Sequence, residues 1–401
     1  MSNPARGGPL QGVRVVELTR VWAGPFGGKL LAYLGAEVIR VESLGALDPS
    51  RGYGRAKINQ APGFQAVNPQ KLSVQIDIKS GQGRALLLGL LGKSDVLLEN
   101  LRPGAIERLG LGYEAVKAVK PDIVYVSMGM YGNEGPLAYQ TGYAPSFVAL
   151  GGVTFLVGYE GEPPTGMNIR YGDATFGTAA AFAAVVALMH RRRTGAGQFV
   201  DVSAVETMSS MIGDAIMDFT LNGTVRVCDG NRHPEMAPHG VYPCRGGDWI
   251  SIAVSSDQGW KELADLIGEP GLAEHPRFRS HADRKANETE LDRLIAAWSA
   301  RHDARELAAA LQKRGVAAAK SQNSIDLTSD QHLWARQFYR AVTDSAGQSR
   351  PIVGPGWKMS EGAAITSAAP RLGEHNAYVL GDILGLSAEQ QQKLADAGVT
   401  R

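Results

Sequence analysis

Asp173 is the acidic residue whose position in the sequence best suits it to chemistry. It follows Gly172 and opens a predicted helix rich in small residues, with a second glycine, Gly177, one turn further along. Aspartate is among the preferred helix N-cap residues, and the helix dipole and free N–H groups should keep a carboxylate there ionised. Such a carboxylate either caps the helix or acts as a nucleophile. The residues alone leave both roles open.

A second set of candidate residues comprises Tyr143, Arg232, His233 and His239, which could recognise a substrate; an arginine suits a dicarboxylate. The alternative is that the loop residues only tie down an irregular segment, because buried polar groups in loops need partners. Tyr143 alone also fits a core tyrosine. The two cysteines, Cys228 and Cys244, form no cluster with metal-ligand spacing, so no metal site is predicted.

The turn after the first predicted strand, residues 20–25, contains no G-x-G-x-x-G motif, and Pro25 stands where the next helix opens. A dinucleotide-dependent dehydrogenase is therefore disfavoured. The free N–H groups and the dipole of this helix N-terminus still suit a pyrophosphate group.

The elements that must position these residues alternate between strands and helices. The predicted strands are 13–18, 38–41, 73–76, 96–99, 123–127 and 198–202, and the predicted helices are 25–34, 82–91, 105–119, 173–192 and 204–221. This rhythm predicts the α/β class, with a doubly wound, Rossmann-like parallel sheet.

A loss of periodicity between residues 223 and 240 predicts a domain boundary. We expect a large Rossmann-like domain built from both chain ends, 1–222 and 326–401, and a smaller α+β domain with linkers, 223–325. The smaller domain is predicted to contain strands 241–243 and 249–254 and helices 257–267, 288–300 and 303–314. Strands at 339–342 and 351–353 and helices at 376–384 and 388–397 follow.

The composition is that of an ordinary soluble enzyme. A chain of 401 residues is longer than a single hydrophobic core usually supports, so two domains are expected. The near balance of 41 basic and 40 acidic residues argues against nucleic acid as a partner. The apolar run 178–189 is shorter than the roughly 20 residues that span a bilayer, so we expect a buried helix and no membrane partner. The absence of a signal-peptide pattern and the sparse cysteines favour a cytoplasmic location.

Five longer segments match one family in residue order. They are PLQGVRVVELTRVWAGPFGGKLLAYLGAEVIRVES at 9–43, ENLRPGAIERLGLGYE at 99–114, GMYGNEGP at 129–136, YGDATFGTAAAFAAVVALMHRRRTGAGQFVDVS at 171–203 and APRLGEHNAYVLGDILGLS at 369–387. In these segments the chain resembles the class III CoA transferases of the CaiB/BaiF type, which include formyl-CoA and carnitine-CoA transferases. The resemblance covers nearly the full length.

The resemblance implies that Asp173 is catalytic. It would attack an acyl-CoA donor, with succinyl-CoA as a candidate, to form a mixed anhydride and then an aspartyl-CoA thioester that a free carboxylic acid opens. Coenzyme A and acyl-CoA are substrates in this chemistry, and no tightly bound cofactor is implied. The large domain would bind CoA through Arg20, Val21, Trp22, Ala23, Lys79, Asn100, Leu101 and Arg108.

Some of these assignments have alternatives. Lys79 and Arg108 could be solvated basic residues at the ends of elements. Arg20 stands where some relatives have histidine, and it suits either a CoA phosphate or a nearby acid.

Two other functions remain open. One is a 2-methylacyl-CoA racemase. Related racemases carry a histidine near the equivalent of residues 141–146, and this chain has none there. The chain would therefore lack one of the two bases that racemisation needs. A non-catalytic CoA-binding subunit of a hetero-oligomer is the third possibility. The glycine-rich lid of formyl-CoA transferases also has no counterpart, which points to a different acceptor.

The resemblance further implies an interlocked homodimer, in which each chain threads through the linkers of the other. The stretches 223–240 and 320–335 are compatible with such linkers, and a hetero-oligomer remains the alternative assembly.

Overall fold

The computed structural model describes residues 6–52, 57–167, 170–344 and 347–401. The chain forms two compact units. The larger is made by the chain up to Phe155, by Thr165–Arg226 and by His332–Arg401, and the smaller by Leu156–Pro164 and Val227–Gln331.

The larger unit is built on a six-stranded parallel sheet. Its strands are β1 Arg14–Leu18, β2 Glu37–Glu42, β3 Leu72–Gln75, β4 Val96–Glu99, β5 Val124–Gly129 and β6 Gln198–Ser203, in the order β3-β2-β1-β4-β5-β6. This is the doubly wound Rossmann order, so the predicted fold class is confirmed. The strand order reverses between β1 and β4, and in such sheets ligands bind beyond the carboxyl ends of the strands at that point.

Helices cover both faces of this sheet. They are α1 Ala23–Tyr33, α2 Pro62–Val67, α3 Gly81–Leu91, α4 Ala105–Arg108, α5 Tyr113–Val119, α6 Ala144–Leu150, α7 Tyr171–Thr194, α8 Ala204–Ser210 and α9 Gly213–Asn222. Local chemistry sets several of their ends; the Ser80 hydroxyl, for example, accepts the Gly83 N–H at 2.9 Å and caps α3.

The smaller unit packs helices against an antiparallel sheet of β7 His239–Pro243, β8 Trp249–Ala253 and β9 Ala317–Lys320. Its helices are α10 Asp257–Ile267, α11 His281–Ala286, α12 Glu288–Ser299, α13 Ala304–Lys313 and α14 Ser324–Ser329. A core around Trp260, Leu291 and Ile295 holds the two layers together.

The chain then returns to the larger unit through α15 Gln331–Ala335, the hairpin of β10 Tyr339–Thr343 and β11 Ser349–Val353, the π-helical segment Ala377–Ile383 and α16 Ala388–Asp396. Val379, Leu380 and Ile383 enter the same core as the central strands. Segments from both ends of the chain therefore contribute to the larger unit.

The element predictions differ from the structure in several places. The predicted helices 105–119 and 204–221 are each two helices, α4 with α5 and α8 with α9. The stretch 320–335, expected to be an irregular linker, contains α14 and α15. Strand β9 was not predicted because its sequence, Ala-Ala-Ala-Lys, carries no β-branched residue and is held by pairing with β8.

Among the described residues, α7 alone is long and apolar enough to cross a membrane by length and composition. Half of its most apolar stretch is buried within the protein, as is usual for a core helix.

Candidate active site

Asp173 lies in the first turn of α7. The helix begins at Tyr171 and its N-cap is Arg170, so Asp173 occupies the third helical position. The alternative that Asp173 is a plain N-cap is therefore wrong. The residue is 8% exposed, and its carboxylate accepts no hydrogen bond from the part of the chain that the structure describes. A carboxylate that neither caps its helix nor is fully sealed remains available for chemistry.

Close packing fixes the position of this turn. A side chain at Gly172 would meet Val148 of α6, since a Cβ atom there would lie 2.5 Å from its Cγ2. At Gly177 a Cβ atom would lie 2.3 Å from the carbonyl oxygen of Ala23 in α1. Helices α1 and α7 therefore cross nearly backbone to backbone. This contact sets the N-terminus of α1 next to the first turns of α7.

Arg170 connects these two helix ends. Its guanidinium Nη1 lies 3.8 Å from Asp173 Oδ2, and its Cζ lies 5.0 Å from the centre of the Trp22 ring. Burial raises the pKa of Asp173, and the positive charge of Arg170 opposes that rise. The sequence-based expectation that the helix N-terminus governs the ionisation of Asp173 is therefore incomplete, because loss of solvent is the larger influence.

The segment Arg20–Ala23 lies at the reversal of strand order, where β1 ends beside β4. The Arg20 N–H donates to Asn100 Oδ1 at 2.7 Å, and Asn100 Nδ2 donates to the Arg20 carbonyl at 3.0 Å. The Arg20 guanidinium donates to the Ala46 carbonyl at 3.2 Å. The predicted CoA-binding segment after β1 is thus joined to Asn100, a predicted CoA-binding residue after β4.

Val21 has an unusual backbone conformation in this segment. Its φ is +68°, a region that a β-branched residue rarely adopts. Its N–H donates to both Asp48 oxygens, at 3.1 and 3.2 Å. A buried acid therefore holds the turn in a form that the side chain disfavours.

Asp48 belongs to a buried ionic network under this turn. The network contains three acids and three cations: Glu17, Glu42 and Asp48 with Arg40, Arg51 and Lys71. Lys71 Nζ also donates to the Pro25 carbonyl in α1 at 2.7 Å. Sequence reasoning missed these residues, and the available signal was the charged positions Glu17, Arg40 and Glu42 within otherwise apolar strands.

The remaining predicted CoA-binding residues follow two strands: Lys79 comes after β3, and Leu101 and Arg108 come after β4. The Leu101 N–H donates to Glu99 Oε2 at 2.8 Å. Burial raises the pKa of Glu99 to about 7 against the hydrogen bonds from Ser127 and Leu101. Lys79 and Arg108 are exposed. They lie beyond the carboxyl edge of the sheet, and no described contact connects either one to Asp173.

A cavity of about 620 Å³ borders the segment after β4. Its lining residues are Pro103, Gly104, Glu107, Tyr113, Asn133, Ala138, Tyr139 and Phe199. Asp173 is not among the lining residues, so the cavity gives no evidence on the role of Asp173.

Tyr143 is the N-cap residue of α6 and is 67% exposed. The alternative of a core tyrosine is therefore excluded. Phe147 and Val148 of the same helix pack against Gly172, so α6 supports the turn that carries Asp173.

In the smaller unit, Arg232 pairs with Glu160 and donates to Thr289 Oγ1 at 3.0 Å. The His233 and His239 rings lie 5.3 Å apart between centres. The His233 Nδ1 accepts the Glu235 N–H at 3.1 Å, and His239 Nδ1 contacts the Asn231 carbonyl. These contacts tie the loop together, and recognition of a substrate by the three residues stays a prediction.

No group of three or more histidine, cysteine or acidic side chains is placed to hold a metal ion within the described ranges.

Comparison with known proteins gives consistent similarities. The family model described as CoA-transferase family III matches residues 10–376. Succinyl-CoA–D-citramalate CoA-transferase of Chloroflexus aurantiacus is 36% identical over 95% of each chain. The beta subunit of succinyl-CoA–L-malate CoA-transferase from the same species is 30% identical, over 95% of this chain and 96% of the relative. A solved CAIB/BAIF family protein from Brucella suis has a TM-score of 0.87 and 31% identity, and the match covers 94% of this chain and 100% of the other.

Proposed function

The chain belongs to CoA-transferase family III, and from this premise we propose that it moves CoA from succinyl-CoA to a free carboxylic acid with Asp173 as the covalent carrier. The observation that carries the proposal is the placement of Asp173. Its carboxylate is largely buried and has no described hydrogen bond, and Arg170 connects it to the turn at the edge of the sheet where ligands bind in such folds.

The reaction would begin when an Asp173 oxygen attacks the thioester carbonyl carbon. The carbon–sulfur bond breaks, CoA leaves as a thiolate, and a mixed anhydride forms. The thiolate then attacks Cγ of Asp173, which releases the donor acid and leaves an aspartyl-CoA thioester. An acceptor carboxylate attacks the same carbon and expels the thiolate again. The thiolate finally takes the acceptor acyl group and frees the Asp173 carboxylate.

CoA would lie across the reversal of strand order. The segment Arg20–Ala23 and the pair Asn100 and Leu101 offer backbone and side-chain groups there, while Lys79 and Arg108 are exposed cations on the following segments. Exposed cations at this edge suit phosphate groups. Backbone N–H groups near Gly172 would stabilise the negative charge that develops on each carbonyl oxygen when its carbon is attacked.

The names of two relatives support the choice of donor. Both are named as succinyl-CoA-dependent enzymes, one acting on D-citramalate and the other on L-malate. Both acceptors are dicarboxylic hydroxy acids, and we propose an acceptor of the dicarboxylic class for this chain.

A homodimer is the assembly that the exposed surface favours. Helix α9 buries none of its residues within the chain, although Phe219 is 58% and Leu221 is 73% exposed. Phe182 of α7 is 71% exposed. Exposed apolar side chains on both helices favour a protein partner. Because one relative is named as a beta subunit, a hetero-oligomer is the second candidate.

The proposal is tested with Asp173→Ala. We expect CoA exchange between succinyl-CoA and a panel of dicarboxylic acids to fall by about 10³-fold or more, because the nucleophile is removed. Asp396→Ala, at an exposed aspartate of α16, is the matched control and should keep full activity. Undiminished exchange by Asp173→Ala would rule out the covalent role.

A further inference from the structure

Among the described residues, Arg170 makes no ion pair closer than the one with Asp173. Its Nη1 lies 3.8 Å from Asp173 Oδ2, which is beyond hydrogen-bond distance. Its side chain is 56% exposed, and its guanidinium donates no hydrogen bond to any residue in the described ranges. Several N–H donors are therefore free within a few ångströms of the nucleophile.

The Trp22 ring restrains this guanidinium. The distance of 5.0 Å from Arg170 Cζ to the ring centre is a cation–π contact. Trp22 itself rests near α2, where a Cβ atom on Gly63 would lie 3.5 Å from its ring. An arginine held on an aromatic face loses less freedom when its remaining donors bind a ligand.

We propose that Arg170 binds the distal carboxylate of a dicarboxylic acyl group and so selects dicarboxylic acyl-CoA esters over monocarboxylic ones. This inference rests on the proposed function, in which Asp173 attacks the thioester carbonyl. A guanidinium and a carboxylate form two parallel charge-assisted hydrogen bonds, a recognition that an uncharged acyl chain cannot provide.

The distances are compatible with a four-carbon acyl group. A carbonyl carbon poised for attack lies roughly 3 Å from the nucleophilic oxygen. The distal carboxylate carbon of a succinyl group lies about 4 Å further along three carbon–carbon bonds. From there a guanidinium nitrogen is reached by a hydrogen bond of about 2.8 Å. These steps together exceed the 3.8 Å between Asp173 Oδ2 and Arg170 Nη1, so a succinyl chain that bends back can contact both side chains.

Other described cations are less suited to this task. Arg232 already pairs with Glu160, and Arg20 donates to the Ala46 carbonyl. Arg170 is the cation within ion-pair distance of Asp173 among the residues that the structure describes.

The experiment compares Arg170→Gln with the wild-type protein on two donors, succinyl-CoA and butyryl-CoA, with one acceptor acid. The pH is held well above the acidic limb of the activity profile, so that a change in Asp173 ionisation does not contribute. We expect kcat/KM for succinyl-CoA to fall by about 10–100-fold, the usual effect of losing hydrogen bonds to a charged group. Butyryl-CoA should change by less than about 3-fold.

Two variants serve as comparisons. Arg192→Gln removes the same charge from an exposed position near the other end of α7 and should leave both donors unaffected. Arg170→Lys keeps the charge without the fork and should restore part of the preference for succinyl-CoA.

A binding measurement separates recognition from turnover. In an Asp173→Asn background we expect succinyl-CoA to bind more tightly than butyryl-CoA, and the difference to vanish when Arg170→Gln is added. An equal loss with both donors, or an unchanged preference, would overturn the role of Arg170 while leaving the transferase intact. A wild-type protein that transfers CoA from neither donor would instead refute the proposed function, and the inference with it.

Discussion

At the scale of single residues, the proposed mechanism depends on Asp173, whose buried environment disfavours its ionised form. Burial raises the pKa of Asp173, and Arg170 limits the rise. An ionised carboxylate that has lost part of its hydration is a better nucleophile than one in water, since less solvent must be displaced before attack. The same burial would protect the proposed anhydride from hydrolysis by bulk water.

The first prediction concerns pH. Because the nucleophile must be ionised and its pKa is raised, kcat/KM should fall on acidification at a higher pH than the ordinary aspartate value of about 3.9. Arg170→Gln removes the charge that lowers this pKa, so the acidic limb should move further upward. Rate profiles from pH 4 to 8, about the range in which shifted carboxyl groups titrate, measure both effects. If Arg170→Gln does not shift the acidic limb, the limb reports the titration of another group, such as Glu99.

A second prediction separates catalysis from folding. Asp173→Asn removes a partly buried charge whose loss of hydration opposes folding. The thermal midpoint of this variant above the pKa of Asp173 should therefore be at least that of the wild-type protein, while its transferase activity is lost. A clear drop in the midpoint would show that the carboxylate supports the fold.

At the scale of elements, the crossing of α1 and α7 aligns the two halves of the site. Helix α1 begins with the turn that is predicted to bind CoA, and α7 begins with the carboxylate. Gly177 lets their backbones meet. Neither helix has a strongly one-sided apolar pattern in its sequence, and small residues allow the approach instead.

Gly177→Ala tests this crossing. The added Cβ atom would lie 2.3 Å from the Ala23 carbonyl oxygen, so the helices must separate, at a cost of about 1–3 kcal/mol in unfolding free energy. The KM for acyl-CoA should rise with it. Gly271→Ala, at an exposed position of the smaller unit with nothing within 4 Å of the new atom, is the control and should not lose stability. Equal behaviour of the two variants would contradict the role of the crossing.

The sequence predicted the alternating elements and the doubly wound sheet because buried parallel strands leave continuous apolar runs between helical patterns. It did not predict Asp48, because a short-range pattern cannot show that an acid two elements away holds the Val21 turn. It also placed the helix start two residues late, so Arg170 went unnoticed. The sequence pattern does not show contacts between segments that are far apart in the chain.

At the scale of the whole molecule, the exposed apolar side chains of α7 and α9 indicate that another protein chain covers them. A helix such as α9, with Ile216, Met217, Phe219 and Leu221 all exposed, is not stable facing water unless a partner covers it. We propose that a second copy of the chain covers this surface.

Light scattering of the purified chain should therefore give twice the mass of one chain. Phe219→Asp should weaken the assembly or lower its thermal midpoint, because a charge enters an apolar interface. Lys393→Glu on the exposed side of α16 should change neither. A monomeric wild-type protein with full activity would contradict the dimer, and a requirement for another protein would favour the hetero-oligomer.

Acyl carriage by Asp173 is tested most directly by intact-mass spectrometry of the protein mixed with succinyl-CoA and quenched in acid. We expect an adduct equal to CoA less one water, located on the peptide that contains Asp173 and absent in Asp173→Asn. Hydroxylamine should convert the same residue to a hydroxamate only when the thioester is present. Full turnover with Asp173 unmodified at every time point would contradict the mechanism.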